Sequence, residues 1–393
     1  MNQQYFMNQP TPHQIEERME GYPSWFEIDL DNIEYNLQEI KGITESQIIP
    51  CVKNNAYGHG LVPVVAHLEG LDIEWVLVAK LREALLLREN GIHCGVINMG
   101  PLFTLTQHEA VVRSDITQVV YTRGTARTLS EVTEEWGMEA KVYVKVDTGL
   151  RRVGVWHDGA TDLIEFISGL PGLKIEGIFS TLAQNPETDS VQLARILEVG
   201  KEVSDRGIDP GTMSLASSDA TLHFPEAHLD AVRPGMLLYG VYPTRADRTS
   251  GMDLKQALSF NARLEHVKWV EKGDSVTYWG RFKAPRRMRV GTVHVGFYDG
   301  LPRELSNRGR VRTPVGFRSI LGSVSLNHIV VDLNGLKPET GNVVEIIGRR
   351  GENTLNAIAE NTGWMTYSLL NHLNPYTPRV YTAGGKPIAL LEP

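Results

Sequence analysis

The densest concentration of reactive side chains is the segment Val52-Lys53-Asn54-Asn55-Ala56-Tyr57-Gly58-His59-Gly60. A lysine at the C-terminal end of a barrel strand points into the face where such enzymes keep their chemistry. Burial there weakens the amine's preference for the charged state, which makes it a nucleophile or a base. The two glycines after Tyr57 let the backbone turn tightly beside a ligand. A lone lysine at a strand end would more simply snorkel its ammonium into water. The whole segment therefore carries the argument, and Lys53 alone does not. Cys51, two residues earlier, is read as a small apolar residue of a strand in preference to a nucleophile. The sequence has no CxxC, HExxH, GxGxxG or GxxxxGK[ST] pattern, so metal and dinucleotide chemistry start with little support.

The elements that must position Lys53 follow from periodicity. Between about residues 25 and 240, short apolar or β-branched runs alternate with helix-period segments. Strands are expected at Trp25–Leu30, Ile48–Lys53, Trp75–Ala79, Val96–Asn98, Gln118–Tyr121, Lys141–Val146, Lys174–Phe179, Met213–Ala216 and near Ala231–Arg233. Asp31 is expected to cap the helix after the first strand, and Gly91 to close the helix after the third. Roughly eight strand–helix units in a little over 200 residues imply a parallel (β/α)8 barrel, with an open doubly wound sheet as the alternative. After about residue 250 the runs RLEHVKWVEKGDSVTY, MRVGTVHVGF, FRSILGSVSLNHIVVDL and NVVEIIGRR are separated by Gly, Pro and Asn turns, which indicates an all-β unit. A short helix is expected at Leu355–Asn361. The fold class is thus α/β: a polar N-terminal arm at 1–23, a barrel at 24–250 and a C-terminal β domain at 251–393.

Bulk properties narrow the function. The 393 residues suffice for one large barrel plus a second unit. A net charge of −8 argues against nucleic acid as a partner, because such binders present a basic face. No apolar run reaches the length of a membrane span. The polar first twenty residues lack the apolar core of a signal peptide and are expected to be mobile or to lie on a partner. Two cysteines, Cys51 and Cys94, suit a reduced, cytoplasmic setting.

The nonapeptide around Lys53 resembles the cofactor-lysine motif of the alanine racemase family, with Asn54 where that family usually has alanine. Further segments resemble the family in the same order over about residues 23 to 385: KVDTGLRRVGV at 145–155, LASSDATLHFP, AVRPGMLLYGVYP, and NPYTPRVY near the end. The resemblance implies pyridoxal 5′-phosphate (PLP) held as a Schiff base by Lys53. It also implies that Tyr57, Ser218, Tyr376 and the backbone near Gly235 and Met236 bind the phosphate. Arg152 would hold the cofactor phenolate oxygen and the substrate carboxylate, with Lys145, a carbamate in many members, orienting it. Arg233 would face the pyridine nitrogen. An arginine does not surrender its proton, so that nitrogen stays unprotonated, and the resulting short-lived carbanion suits racemisation better than transamination. Without the companion motifs, Lys145 and Arg152 would read as surface charges at a strand end. A homodimer with a shared active site and a small amino-acid substrate are also implied, with Leu326 in the stretch lining the partner's substrate pocket.

Racemisation needs a proton carrier on each face of the substrate. Lys53 would serve one. The family's second carrier is a tyrosine in a Gly-Tyr-x-Asp-Gly segment, which here reads Gly296-Phe297-Tyr298-Asp299-Gly300. Phe297 cannot carry a proton, and Tyr298 lies one place later. In a regular strand Tyr298 would point to the wrong face, whereas a turn would relax the alternation. Thr181 occupies a region where the family has a histidine, Ser214 replaces the histidine behind the ring arginine, and Ser325-Leu326-Asn327-His328 replaces a Ser-Met-Asp-Gln-like stretch. Three functions compete: a racemase of alanine or a related amino acid using Lys53 and Tyr298; a single-base PLP enzyme such as a decarboxylase or aldolase; and a non-catalytic PLP binder. Retention of Arg152 and Arg233 argues against the last.

Overall fold

The computed structural model describes residues 3–244, 246–249 and 251–392. Its strands, leaving aside three two-residue ones, are β1 (Ser24–Asp29), β2 (Gln47–Ile48), β3 (Trp75–Val78), β4 (Gly95–Asn98), β5 (Thr117–Val120), β6 (Ala140–Asp147), β7 (Leu173–Phe179), β8 (Thr212–Ser217), β9 (Ala231–Arg233), β10 (Leu258–Val270), β11 (Met288–Val293), β12 (Arg310–Thr313), β13 (Gly316–Ser319), β14 (Ile329–Asp332), β15 (Val343–Ile347), β16 (Arg379–Ala383) and β17 (Lys386–Leu391).

Strands β2 to β9 form one parallel sheet in the order β2-β9-β8-β7-β6-β5-β4-β3. A parallel bridge between Cys51 and Leu77 joins its ends, with the Leu77 N–H donating to Pro50 O and the Val52 N–H to Leu77 O, both at 2.9 Å. The sheet is an eight-stranded barrel and not an open doubly wound sheet. Its strands are buried on both sides, as in β5 and β6, where Val119, Val142, Val144 and Val146 are all inaccessible or nearly so. The helix at Leu81–Glu89 ends on Asn90 and is followed by Gly91 at φ 70°, the left-handed position that favours glycine.

The other nine strands form a second, mostly antiparallel sheet in the order β13-β12-β15-β10-β1-β16-β17, with β11 beside β10 and β14 beside β11. The helix at Leu355–Thr362, expected from sequence, belongs to this half of the chain. Strand β1 corrects the sequence expectation, which made it the first barrel strand. It pairs antiparallel with β10 and parallel with β16. Its apolar run looks the same in either setting, because local pattern does not specify the pairing partner. The chain accordingly forms two compact units. One comprises residues 38–56 and 64–238; the other takes in 3–37, 57–63 and the described residues from 239 onward.

One more expectation is corrected. The helix Leu30–Lys41 is capped by Asp29, whose carboxylate accepts the Asn32 N–H at 3.1 Å, and Asp31 lies inside the first turn. The described part of the polar arm, expected to be mobile or to lie on a partner, is helical at Gln3–Met7 and Pro12–Glu20. Thr11 and Gln14 form a capping box, and Ile15 is fully buried with Trp25, Val380 and Leu390. Two large apolar residues in nine, Ile15 and Met19, were too thin a signal to foresee that docking.

Gly60 joins the lysine segment to the β unit under a tight constraint. Its φ is +97°, and a Cβ there would lie 1.8 Å from the Tyr381 hydroxyl, which itself donates to His59 O at 2.9 Å. Gly60→Ala should lower stability by about 2–5 kcal/mol, the sum of a left-handed alanine and an overpacked site. The measurement is the shift in urea midpoint. An unchanged midpoint would show that the backbone moves freely here.

Candidate active site

Eight parallel strands deliver their final residues to one end of the barrel. Lys53 begins the turn after β2, Lys145 lies in β6, Ser180 and Thr181 follow β7, Ser214 lies in β8, and Arg233 ends β9. The turn after Lys53 is unusual. Asn54, Asn55, Ala56 and Tyr57 all have left-handed dihedrals, with φ between 52° and 58°. Each such residue costs roughly 1–2 kcal/mol, less for asparagine, whose short polar side chain tolerates this region. Asn54 is therefore better suited to the conformation than an alanine. The Ala56 N–H donates to Val52 O at 2.9 Å, and the Asn55 N–H donates to the Glu83 carboxylate at 3.1 Å. These bonds aim the half-buried Lys53 from a rigid base.

Lys145 is only 5% exposed, so it is no surface charge. Its ammonium donates to the Thr181 hydroxyl at 2.6 Å and sits 4.3 Å from the centre of the Phe179 ring. Burial, with Arg233, Arg152 and Lys53 adding repulsion, holds its pKa well below the ordinary lysine value, and Asp147 opposes this only in part. Arg152 is exposed, though near enough to act on Lys145. Arg233 is buried. Its guanidinium donates to the Ser214 hydroxyl, to Ser180 O at 2.6 Å and to Leu215 O at 3.3 Å. Burial lowers its pKa to about 10, which leaves it protonated at neutral pH. Ser214, which also donates to Ala231 O at 2.5 Å, thus stands directly behind Arg233, as the sequence comparison of motifs expected.

Ser218 and Gly235 come together as expected: the buried Ser218 hydroxyl accepts the Gly235 N–H at 2.8 Å and keeps its own proton to donate. Met236 is fully buried at the start of a 3-10 turn, Met236–Tyr239. Sequence reasoning missed the support behind β6 and β7. Gln192 donates to the Thr148 hydroxyl at 3.1 Å and to Thr181 O at 3.0 Å, Thr148 pairs with the Ser180 hydroxyl at 2.8 Å, and Arg195 donates to Thr148 O at 2.7 Å. Gln192 and Arg195 lie in the helix Pro186–Asp205, where no motif marks them. Ser180-Thr181, two hydroxyls closing an apolar strand, was the one available signal.

The remaining candidates belong to the β unit. Tyr57 is buried, its ring 5.5 Å from that of Tyr239 and 6.0 Å from that of Tyr367. Tyr376 and Leu326 are exposed. Phe297, Tyr298 and Asp299 form a 3-10 turn capped by the Asp299 carboxylate on the Gly296 N–H at 2.9 Å, so strand alternation does not apply to them. Their N–H groups bind the loop that carries Leu326: Phe297 to Ser325 O and Tyr298 to Leu326 O, both at 3.0 Å. Phe297 is 39% and Tyr298 54% exposed, and the Arg303 guanidinium lies 5.3 Å from the Phe297 ring centre.

Fold and site together define a barrel with basic side chains gathered at one end. The chain belongs to the alanine racemase family. Residues 28–243 match the family's N-terminal domain and 257–381 its C-terminal domain. It is 32% identical to the alanine racemase of Clostridium tetani, over 94% of this chain and 97% of that one. It is 30% identical to that of Methanococcus maripaludis, over 92% and 100%. Among solved structures, the alanine racemase of Clostridium difficile 630 superposes with a TM-score of 0.89 at 27% identity, covering 94% of this chain and 98% of that one. The Bacillus anthracis alanine racemase with bound L-Ala-P gives 0.85 at 27% identity, covering 94% and 97%. Among the described residues no helix is long and apolar enough to cross a membrane.

The lowered pKa of Lys145 sets a sign for its effect on stability. Between that lowered value and the ordinary lysine range, the unfolded chain holds a proton that the folded chain has released. Stability therefore rises with pH across this window. Lys145→Met should be more stable than the parent at pH 7 in bicarbonate-free buffer, and the gap should narrow as the pH approaches the lysine range. Urea midpoints at several pH values check this; a gap independent of pH contradicts it.

Proposed function

We propose that the chain is a PLP-dependent amino-acid racemase acting on L- and D-alanine or a closely related amino acid, with Lys53 and Tyr298 as its two proton carriers. The observation that carries this reading is the group of cations at the C-terminal end of the barrel: Lys53, the buried Lys145 and Arg233, and the exposed Arg152. Such a group fits a dianionic, aldehyde-bearing cofactor, since uncompensated like charges are costly to bury together. The Ser218 hydroxyl, with its free proton, and the backbone of Gly235 and Met236 would hold the phosphate, together with Tyr57 and Tyr376. Bound there, PLP supplies an electron sink that acidifies the α-proton of an amino acid.

The protein's own groups then divide the work. Lys53 Nζ exchanges the α-proton on one face. Arg233, protonated and held by Ser180 O and Ser214, would offer N–H donors to the cofactor's ring nitrogen and, keeping its own proton, would leave that nitrogen unprotonated, which would favour quick return of the α-proton. Arg152 takes the substrate carboxylate, and Lys145 stands beside it as the candidate for carbamylation. On the second face Tyr298 Oη is the proton carrier. Its place in a 3-10 turn frees it from strand alternation, and its ring is more exposed than that of Phe297. By the family pattern, Tyr298 and Leu326 would serve the site of a second copy in a homodimer. Its two cysteines, neither in a disulfide, suit a cytoplasmic setting. Phe297 favours one rival, a single-base enzyme on the same scaffold.

The test is α-proton exchange of L- and D-alanine in deuterated water, followed together with optical rotation. Exchange of both enantiomers with loss of rotation is expected. Lys53→Ala should abolish it, and Tyr298→Phe should slow it by about 10²–10⁴-fold, the usual contribution of a general acid or base. Exchange of one enantiomer alone would establish the single-base enzyme. Full activity in Tyr298→Phe would remove Tyr298 from the mechanism.

A further inference from the structure

Three side chains far apart in sequence converge on the β unit: Glu265, His294 and His328. The sheet register dictates the meeting. Val293 of β11 is paired with Ile329 of β14 in antiparallel register, so the residues just outside that pair, His294 and His328, are cross-strand neighbours. Their rings lie 5.0 Å apart, edge to face. On the other side of β11, Leu264 pairs with Val293 and His266 with Thr292, which leaves Glu265 as the extra residue of a bulge. A bulge re-aims its side chain, and here it turns one carboxylate oxygen onto both imidazoles. Glu265 Oε2 is 3.1 Å from His294 Nδ1 and 2.8 Å from His328 Nε2.

These separations suit a common ligand. The three donor atoms all lie within 4.8 Å of one another. Ligands held about 2.0–2.1 Å from a tetrahedral zinc ion stand roughly 3.3 Å apart, so modest side-chain rotation would open the trio around an ion. Two imidazoles and one carboxylate are a common zinc set, and they leave a fourth position for water. The three side chains are 49%, 43% and 41% exposed, so an ion can reach them directly from solvent. The same groups without metal are two solvent-facing ion pairs, which would contribute little to stability. That economy does not explain why a bulge and a cross-strand pair converge on one oxygen.

We infer that Glu265, His294 and His328 form a surface site for a divalent transition-metal ion, zinc in the first instance. It is independent of the PLP site. His294 lies two residues before Gly296, and His328 ends the loop whose Ser325 and Leu326 carbonyls accept from Phe297 and Tyr298. A bound ion would therefore clip together the bases of the two loops that carry Tyr298 and Leu326, and metal occupancy would stiffen them.

The experiment uses the full-length PLP-loaded protein, stripped with chelator and titrated with zinc by calorimetry and with cobalt by visible absorption. One ion per chain is expected, with cobalt bands of a four- or five-coordinate site carrying nitrogen ligands. Glu265→Gln and His294→Ala, each confirmed folded by circular dichroism, should weaken binding by at least about 100-fold, since loss of even an outer partner of a metal ligand costs roughly 10–100-fold. Binding of equal strength in the parent and both variants would place the ion elsewhere and overturn the assignment. So would the absence of binding to the parent at millimolar zinc.

Discussion

Burying two basic side chains at one end of a parallel barrel is the constraint on which the rest of this structure turns. Lys145 and Arg233 lie out of water within range of each other and of Lys53. Their repulsion and lost hydration are offset in part by Asp147 and by fixed dipoles: the carbonyls of Ser180 and Leu215 and the hydroxyls of Thr181 and Ser214. Those dipoles come from the ends of neighbouring strands, so the barrel must close in register before the charges are tolerable. The network of Gln192, Thr148 and Arg195 then fixes the strand ends from behind. A site solvated this way is short of negative charge. On the proposed function, that is the preorganisation an anionic cofactor would need.

The lysine turn carries a related strain. Four consecutive left-handed residues are affordable only where both ends are anchored, by the barrel strand before Lys53 and by Gly58 and Gly60 after it. Arg379 donates to Gly58 O at 2.8 Å and Tyr381 to His59 O, so the exit is held by two fully buried side chains of β16. Lysine chemistry and backbone geometry are thus coupled through a few glycine and asparagine positions.

Much of this was legible beforehand. The alternation of strands and helices pointed to the barrel, and the nonapeptide at Lys53 with its companion motifs pointed to the family. Ser214 behind Arg233 and Ser218 beside Gly235 were foreseen from motif order. The place of β1 was not, because an apolar strand carries no label for its partner. Nor was the docked helix at Pro12–Glu20, which rests on Ile15. The bulge at Glu265 left no mark in the sequence, so its meeting with two histidines could not be read there.

By itself the sequence determined which chemical groups exist and in what local frame: a lysine before a left-handed turn, arginines at strand ends, a phenylalanine and a tyrosine side by side. Only the tertiary structure decided which of them lose water and which meet. Lys145, which apart from its motif reads as a surface lysine, has its pKa lowered because β6, β7 and β9 close around it. Tyr298, ambiguous in a strand, lies in a turn because the Asp299 carboxylate caps it. Burial and long-range register are properties of the assembled sheet, and local residue patterns specify them only when pairing partners are already known.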